Sequence, residues 1–497
     1  MSKKLLLFLV LGIILTGVFR LSSQRALSFH FVDEEDHIVT ASLMNQGYKL
    51  YKDLSVNHQP LVYLGSSWLQ KIAKPTNMLV LIKWHRLAIF FYSAIWSILL
   101  VWKFRKTGLL FVAMFEWLKF YLFGNLWLME SLAVYPTVYL FASWLQSGLS
   151  NVWPKKKEAI FLGFCSFLVV FNLVPLWPWL GVVWLIYLIK NKKQFWWLLL
   201  GTLIPTIILF ILVSPIDWFR ETITYNVVYA MPRLSAVKTL NDWLKIIFFP
   251  FFSLVTKGSF QAKVIGFLTI GWLVGLINLL KINRKKFLWL LTMYPLLVLA
   301  NLRVLSPTLV FYLGFHLLPW LGLLLVVFLI SLKEVKKLIV LIIFLVGGIS
   351  LLLDKNMPYF WKTDALNEYH INYSQFNDIN FAVKILAEEN DRLAVLTSES
   401  LIYWNTGVAP ATRQVVYYAW ELDVPELKAD YEKVFYGDNP PEFIYGSQEK
   451  NLVEQKYAGL LKNDKLTELY VRKDKVKNID QSQIDNLLLR KFSLIEN

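Results

Sequence analysis

The chain has 497 residues, of which 56% are hydrophobic and only 17% charged, and its net charge is +16. With a mean hydropathy of +0.48, these values exclude an ordinary water-soluble protein, which rarely carries so few charges. The single cysteine, Cys165, lies in an apolar run and excludes a disulfide framework or a thiolate metal cage. The sequence therefore predicts a polytopic α-helical membrane protein, with Cys165 as a packing residue.

The first predicted element is the apolar segment MSKKLLLFLVLGIILTGVF at residues 1–19. It resembles a signal peptide, but no small-residue cleavage site follows it, so we expect a retained first span. Ten further runs are long enough to cross roughly 30 Å of hydrocarbon. They lie near 86–102, 108–123, 132–149, 159–172, 175–189, 195–213, 262–280, 287–302, 310–330 and 337–353. The sequence thus predicts about eleven transmembrane helices.

Clusters of lysine and arginine predict the orientation, because short cytoplasmic loops are enriched in these residues. With eleven spans, every such cluster falls at the cytoplasmic end of a predicted span. This requires that the segment NDWLKIIFFPFFSLV at 241–255 lies at the interface or re-enters without crossing. The N-terminus is then cytoplasmic, and the first loop, 22–85, and everything after residue 353 face outward. We expect a multi-pass protein of the plasma membrane.

Composition changes at Asp354, where a second predicted domain begins. Residues 354–497 hold 17 basic and 23 acidic side chains, and residues 1–353 hold 34 and 12. The positive charge therefore belongs to the predicted transmembrane domain, 1–353, where it suits anionic membrane lipids and requires no nucleic acid. In the tail, alternating patterns predict a small extracytoplasmic α/β domain. Helices are expected at 381–390 and 424–435, and strands at 392–398, 442–447 and 465–473, the last of them ending the sheet.

The first outer loop contains FVDEEDHIVTASLMNQGYKLYKDLSVNHQPLVYL at residues 31–64. Five of the twelve acidic residues in the predicted transmembrane domain lie between 33 and 53. An acidic run can simply solvate a loop or begin a helix. However, the pattern D-E, then G-x-x-x-Y-x-D-x-x-x-x-H-x-P-L-x-Y, resembles the first outer loop of the type C glycosyltransferase superfamily, in particular bacterial relatives of protein O-mannosyltransferase and lipid A aminoarabinose transferase. The residues that carry this resemblance are Asp33, Glu34, Gly47, Tyr51, Asp53, His58, Pro60, Leu61 and Tyr63.

The resemblance covers nearly the whole chain, although its later landmarks are individually weak. These are MESLAVYPTVYLFASWL, SPIDWFRETITYNVV, RVLSPTLVFYLGFHLLPWLGLLL and IYWNTGVAPATR. It implies a type C glycosyltransferase architecture and transfer of a sugar from a polyprenyl-phosphate donor to an acceptor hydroxyl outside the cytoplasm, usually with inversion. The acceptor could be a glycan, a protein or a lipid. The Trp-Trp-Asp type sequence of oligosaccharyltransferases is absent, which argues against transfer of whole oligosaccharides to asparagine.

The resemblance assigns the role of catalytic base to Asp33, the aspartate of the D-E pair. A carboxylate at the membrane surface can take the proton of an acceptor hydroxyl as the glycosidic bond forms. Partial shielding and the neighbouring acids are expected to raise its pKa. Many relatives have an apolar or aromatic residue after the pair, whereas this chain continues with Glu35 and Asp36. The register is therefore open by one position, and Glu34 is the alternative base.

The donor phosphate requires a cation, and arginine suits it by its bidentate geometry. Arg303 and Arg220 are the candidates on the outer side, with an interfacial anchor as the alternative for Arg303. If 308–330 is helical, Tyr312 and His316 share a face, where the resemblance places polar residues that line the cavity. A histidine in a span can equally serve helix packing.

Three further residues are candidates for substrate binding. His58 is expected to orient the acceptor or the catalytic carboxylate, or else to be a loop histidine before a proline-set turn. Asp53 could contact the sugar or a divalent cation, or only cap the following segment. Glu130 is an ionisable group close to hydrocarbon, and such groups are costly unless they are used. Several carboxylates could hold Mg²⁺ or Mn²⁺, but no ligand set has diagnostic spacing, and we expect no metal or other cofactor.

Two other classes of function remain open at this point. A lipid or glycan transporter would also have many spans and a basic inner face, but it would more often show two similar halves, and no internal repeat is visible. A polysaccharide polymerase or O-antigen ligase would place its catalytic arginine and histidine in a large late outer loop, whereas the distinctive loop here comes first. No nucleotide-binding motif occurs, so the energy for transfer is expected to come from an activated lipid donor.

Overall fold

The computed structural model describes residues 3–28, 30–235, 237–256, 259–305, 311–353, 373, 375–446 and 449–495. It is 72% helical, with a small sheet near the C-terminus, so the predicted helical fold class is confirmed. Among the described residues, five helices are long and apolar enough to cross a membrane. They are Lys4–Gln24, Met78–Phe104, Lys192–Leu212, Phe260–Ile282 and Gly314–Ser331.

The other predicted spans also fall on helices, but these are shorter, interrupted or less apolar. They are Lys106–Leu118, Met129–Ser150, Lys156–Val170, Trp177–Lys190, Lys337–Leu352 and the broken pair Arg284–Leu291 and Met293–Leu299. Short 3-10 helices adjoin several of them, at Lys119–Leu122, Val174–Leu176, Phe311–Leu317 and Leu332–Glu334. The number of eleven transmembrane helices stays a prediction.

Residues 241–255 form two short helices instead of one long one. The first, Leu240–Ile247, has 8 residues and begins with a capping box in which Thr239 and Asp242 bond each other's backbone. The second, Phe249–Val255, has 7 residues. About 20 residues are needed to span the hydrocarbon, so neither helix is long enough to cross alone.

Contacts divide the chain into two compact units. The first unit comprises 1–24, 86–212 and 235–363, and the second comprises 25–85, 213–234 and 364–497. The predicted first loop and most of the predicted tail therefore belong to the same unit. The predicted domain boundary at Asp354 falls outside the described residues and stays a prediction.

In the first unit, glycines bring helices Lys156–Val170 and Lys192–Leu212 into backbone contact. A Cβ on Gly163 would lie 2.0 Å from the Leu198 carbonyl oxygen, and a Cβ on Gly201 would lie 2.1 Å from the Ile160 oxygen. Helices in a membrane approach closely through such small residues. Cys165, on the first of these helices, is fully buried, as expected of a packing residue.

The second unit contains a six-stranded mixed sheet. Its strands are β1 (Arg392–Val395), β2 (Ala409–Pro410), β3 (Phe443–Tyr445), β4 (Tyr457–Lys462), β5 (Lys465–Arg472) and β6 (Phe492–Ile495), in the spatial order β2-β1-β3-β5-β4-β6. Strand β1 runs parallel to β2 and β3, whereas β5 is antiparallel to β3 and β4, and β6 is antiparallel to β4. The predicted strands are confirmed as β1, β3 and β5, but β5 is not the last, because β6 follows it.

The second unit also contains both helices that the sequence of the tail predicted. These two are Gln375–Leu386 and Pro425–Phe435; the others are Leu401–Thr406, Lys450–Lys456, Lys473–Val476, Gln481–Leu489 and the 3-10 turn Glu421–Asp423. Strands β2, β4 and β6 were missed because short strands are stabilised by pairing with their neighbours more than by intrinsic propensity.

The first loop and residues 215–234 complete the second unit. The loop contributes helices Val32–Asn45 and Pro60–Ala73, which pack together, and the first of them packs on Leu401–Thr406. The second segment is helical throughout, with two π-helical stretches, at Pro215–Phe219, Arg220–Thr224, Asn226–Ala230 and Met231–Leu234. The Ser55 amide donates to the Arg413 carbonyl oxygen at 2.8 Å, so the loop is bonded to the tail.

Candidate functional site

The acidic run begins the helix Val32–Asn45, and its first turn contains Asp33, Glu34 and Glu35. Carboxylates are favoured there because the unpaired amides and the dipole of a helix make its N-terminus positive. At helical spacing, Asp33, Asp36 and His37 lie on one face, since residues three and four apart are neighbours. The helix thus separates the four acids, which are adjacent in sequence, into different environments.

A cluster of Asp36, His37 and His58 forms on this face. His37 Nε2 lies 2.9 Å from His58 Nδ1 in a hydrogen bond, and His58 Nδ1 lies 3.8 Å from Asp36 Oδ2. Thr40 donates to Asp36 Oδ1 at 3.3 Å. His58 therefore faces a carboxyl group of the acidic run, but the group is Asp36, not the predicted base Asp33 or Glu34.

The other residues of the motif hold the loop around this cluster. Gly47, with φ of +110°, turns the chain after the helix in a conformation that favours glycine. Tyr51 is fully buried and donates from its hydroxyl to the His58 carbonyl oxygen at 2.8 Å. Pro60 begins the next helix. The hydroxyl of Tyr63 donates to Asp36 Oδ2 at 3.4 Å.

Asp53 has a local partner in this loop. Its Oδ2 accepts a hydrogen bond from the backbone amide of Lys49 at 2.8 Å. This closes the turn between the two loop helices, which agrees with a structural use of the residue. A sugar contact by Asp53 stays a prediction.

Burial affects the four acids of the run differently. It raises the pKa of Asp36 to about 7, and the negative charge of Asp33 contributes to the same shift. It also raises the pKa of Glu35 to about 7. Glu34 is 0% exposed, whereas Asp33 is half-buried. Of the two predicted bases, only Asp33 is thus accessible to a substrate in this geometry.

Glu35 points to a different partner, on the tail of the same unit. His30 Nε2 lies 2.7 Å from Glu35 Oε2 and 3.2 Å from Glu399 Oε2. Burial alone would lower the pKa of His30, but the hydrogen bonds and charges of the two carboxylates raise it to about 10. The protonated imidazole therefore joins the loop to the tail, and Glu35 has a structural role.

Within the described parts of the chain, two groups of side chains could hold a divalent cation by geometry alone. They are Asp36, His37 and His58, and His30, Glu35 and Glu399; within each group one ligand atom per residue lies within 4.8 Å of the others. Imidazole and carboxylate suit zinc and other transition metals. The contacts described above already account for both groups, and our expectation that the protein binds no metal stays a prediction.

In the first unit, three predicted site residues come together. Arg303 Nη1 donates to Glu130 Oε1 at 3.0 Å, His316 Nδ1 lies 3.2 Å from the same oxygen, and Arg303 Nη2 lies 3.3 Å from His316 Nε2. Glu130 is 1% exposed and Arg303 36%. Among the described residues, Glu130 Oε2 has no hydrogen-bond partner. The cluster therefore contains an unsatisfied buried acceptor beside an accessible guanidinium.

The prediction that Tyr312 and His316 share a face if 308–330 is helical depends on the type of helix, and residues 308–310 lie outside the described residues. Residues Phe311–Leu317 form a 3-10 helix, and the α-helix begins at Leu318. With three residues per turn, positions i and i+4 are not aligned. The side chain of Tyr312 lies outside the described part of the chain, so its role stays a prediction.

Arg220 has carboxylate partners in the second unit. It lies 3.0 Å from Asp217 and 3.9 Å from Glu221. Glu221, which the sequence did not single out, is 1% exposed and also accepts from Arg413 Nη2 and Ser55 Oγ, each at 2.8 Å. These pairs bind the segment 213–234 to the loop and the tail of its own unit. Arg220 is therefore less suited to a donor phosphate than Arg303.

A second missed cluster lies in the first unit. Glu116 accepts from Tyr135 and pairs with Lys119, each at 2.6 Å, and all three side chains are at most 1% exposed. The signal was present, because an acid and a base three residues apart within LLFVAMFEWLKFYLF indicate an ion pair on one helical face.

Comparison with models of known protein families finds none that matches the chain. A search of curated proteins finds no match either.

Proposed function

We propose that the protein is a multi-pass membrane glycosyltransferase that moves a sugar from a polyprenyl-phosphate donor to the hydroxyl of an extracytoplasmic acceptor, with inversion. The proposal retains about eleven transmembrane helices, a cytoplasmic N-terminus and an outward tail. One observation carries it: the half-buried Asp33 shares a helical face with the cluster of Asp36, His37 and His58.

The base in this proposal is Asp33. As the acceptor oxygen attacks the anomeric carbon, the Asp33 carboxylate takes the hydroxyl proton, and the bond from that carbon to the phosphate oxygen breaks. The electron pair leaves with the polyprenyl phosphate. A positioned base of this kind typically contributes about 10²–10⁴ to the rate.

The neighbouring cluster supports this role. Because burial and the charge of Asp33 raise the pKa of Asp36 to about 7, Asp36 holds a proton through much of the neutral range. A buried carboxyl group with a raised pKa, next to a second acid, is a recurrent feature of sites of acid–base chemistry. His58 and His37 extend the cluster and supply donors that could orient an acceptor hydroxyl.

For the leaving group, the proposal uses Arg303. A guanidinium has five N–H donors, and the contacts with Glu130 and His316 use one donor on each of Nη1 and Nη2. Glu130 and His316 therefore orient the guanidinium while its 36% exposed side chain can meet a phosphate. Arginine in such a setting binds phosphate in bidentate fashion.

The reaction class can be tested with purified protein in proteoliposomes that contain labelled polyprenyl-phosphate hexoses and pentoses, with envelope extract as acceptor. We expect label in the acceptor and an equal amount of free polyprenyl phosphate. A transporter would instead deliver the intact donor to the other leaflet. Intact donor on both sides, with no polyprenyl phosphate released from any of these sugars, would contradict the proposal.

A further inference from the structure

Three side chains of the second unit converge on one point. His30 Nε2 lies 2.7 Å from Glu35 Oε2 and 3.2 Å from Glu399 Oε2, and the three atoms all lie within 4.8 Å of one another. His30 and Glu35 belong to the first loop, and Glu399 belongs to the tail. The ion pairs explain why these side chains lie together, but they leave polar atoms of the cluster without a partner.

One hydrogen cannot serve both carboxylates. The hydrogen on His30 Nε2 bonds Glu35, so Oε2 of Glu399 faces the same nitrogen without a well-directed hydrogen bond from any described residue. Oε1 of Glu35 also has no hydrogen-bond partner in the described part of the chain, although Glu35 is 0% exposed. Buried polar atoms without a partner are rare in native proteins, and an ion or ordered water bound beside them is a usual reason.

Unpaired polar atoms extend beyond these three residues. Ser400, which follows Glu399, is fully buried, and its hydroxyl has no partner within the ranges that the structure describes. Phe376, in the tail helix Gln375–Leu386, has its ring 5.3 Å from the ring of His30. Asn380 lies one turn further along that helix, and within the same ranges its side-chain oxygen and nitrogen both lack a partner. The surroundings of the cluster thus have unused hydrogen-bonding capacity.

The charges of the cluster favour a divalent cation. Two carboxylates and one imidazolium sum to one negative charge, and the Glu35 side chain is excluded from water. When a divalent cation replaces the proton on Nε2, the proton leaves to the solvent, His30 becomes neutral and the sum becomes zero. The exposed fractions of His30 and Glu399, 18% and 24%, leave a path by which an ion can enter.

The types of ligand fit zinc. Imidazole nitrogen and carboxylate oxygen both bind Zn²⁺, at roughly 2.0–2.2 Å, and tetrahedral coordination then separates two such ligands by roughly 3.3 Å. The distance from His30 to Glu399 already has this value, whereas the Glu35 oxygen must move outward by roughly 0.6 Å. A water completes the coordination in open zinc sites, and the hydroxyl of Ser400 and the amide of Asn380 are the candidates to bond it.

We propose that His30, Glu35 and Glu399 bind a divalent transition-metal ion such as Zn²⁺, which joins the first loop to the tail within the second unit. In the other group of possible ligands, Asp36 already accepts a hydrogen bond at each oxygen, so that group has less need of an ion. For this one position, the geometry favours a metal over the expectation from sequence that none is bound. Glu399 is too distant in sequence to form a motif with the other two ligands. The site does not depend on the proposed sugar transfer.

The test uses the full-length protein in detergent, without an affinity tag, after a chelator has removed bound metals. Zinc content per chain, the dissociation constant for Zn²⁺ in competition with a chromophoric chelator, and thermal unfolding are measured. The variants are His30→Gln and Glu399→Gln, which each remove one ligand from a partly exposed position. Their matched control is Glu432→Gln, which changes an exposed glutamate of the same unit.

We expect one Zn²⁺ per chain and a rise in the unfolding temperature when Zn²⁺ is added, because an ion that binds only the folded state stabilises it. The affinity for Zn²⁺ should fall at least about tenfold in both ligand variants and stay unchanged in the control. A cooperative unfolding transition without Zn²⁺ shows that a variant is folded. If one ligand variant does not fold, the other decides.

Three outcomes would overturn the proposal. The first is less than one Zn²⁺ per chain on the unmodified protein at saturation. The second is an unchanged dissociation constant in either folded ligand variant, and a loss of zinc in His58→Gln would then assign the ion to the group that contains Asp36. The third is displacement of Zn²⁺ by an equal concentration of Ca²⁺, which would indicate a site of oxygen ligands without His30.

Discussion

One buried acid of the first unit and the acidic run of the second unit are arranged in opposite ways. In the first unit, Glu116 is enclosed with Lys119 and Tyr135, so its charge is matched within the cluster. In the second unit, the run from Asp33 to Asp36 places four carboxyl groups on little more than one helical turn, and burial raises the pKa of Asp36. An enclosed pair is a structural unit. Crowded carboxyl groups cost stability, and such groups are candidates for chemistry.

Replacing Asp33 with Asn should give the largest effect, because it removes the proposed base. We expect kcat for sugar transfer to fall by about 10²–10⁴-fold. The unfolding temperature should change little, since Asp33 is only half-buried. Transfer in proteoliposomes and thermal unfolding are the measurements.

Two companion variants sharpen this prediction. Asp438→Asn changes an exposed acid of the same unit and should keep full activity. Glu34→Gln tests the register of the motif. A large loss of kcat in Glu34→Gln with an active Asp33→Asn would move the base to Glu34.

Breaking the enclosed pair should instead reduce stability. Glu116→Gln or Lys119→Met alone leaves a charge buried without its partner, which costs about 3–5 kcal/mol in the free energy of unfolding. The double variant should lose clearly less than the sum of the two single variants. Unfolding in detergent measures all three. Additive losses would show that Glu116 and Lys119 are not coupled, and the contrast with the first loop would fail.

The raised pKa of Asp36 predicts a dependence of stability on pH. In the unfolded chain this carboxyl titrates near 3.8, and in the folded chain at about 7. Between these values the folded state binds more protons, so the free energy of unfolding falls as pH rises from about 4 to about 7. Asp36→Asn should remove roughly 1–3 kcal/mol of that fall. Glu35 contributes in the same direction, so part of the slope remains.

Thermal unfolding between pH 4 and 7.5 checks this difference. A matched control is Asp438→Asn, since that side chain is exposed in the same unit. Identical slopes for Asp36→Asn and the unmodified protein would show that Asp36 is not buried in a neutral form.

The cluster of Glu130, Arg303 and His316 is neither fully enclosed, like Glu116 and Lys119, nor a run of acids, like residues 33–36. Of the changes considered, a substitution in this cluster should have the smallest effect. Arg303→Gln removes a charge-assisted contact with the donor phosphate, and we expect KM for the donor to rise about tenfold with a smaller change in kcat. Arg284→Gln, an exposed arginine outside this cluster, is the control. An unchanged KM in Arg303→Gln would return Arg303 to the alternative role of an anchor.

Periodic patterns over long segments were predictable from the sequence. Apolar runs located the helices, and alternation in the tail located β1, β3 and β5. The broken helix at Thr292 and the 3-10 turn at Phe311–Leu317 were not predictable, because tertiary packing decides where a continuous apolar run bends.

The site could be predicted in part. The motif located His58 and the acidic helix, but the sequence could not show that Asp36, rather than Asp33, faces His58. A helical spacing rule applied to residues 33–40 would have grouped Asp33, Asp36 and His37. The convergence of Glu130, Arg303 and His316 joins residues more than 170 positions apart, and no local pattern contains that information.

The anomeric configuration of the transferred sugar tests the central claim most directly. A carboxylate that activates an acceptor hydroxyl for direct displacement of the phosphate produces inversion at the anomeric carbon. The coupling constant of the anomeric proton in the purified product, compared with that of the polyprenyl-phosphate donor, measures this. We predict the inverted configuration; a retained configuration would contradict the proposed single displacement by Asp33-activated hydroxyl.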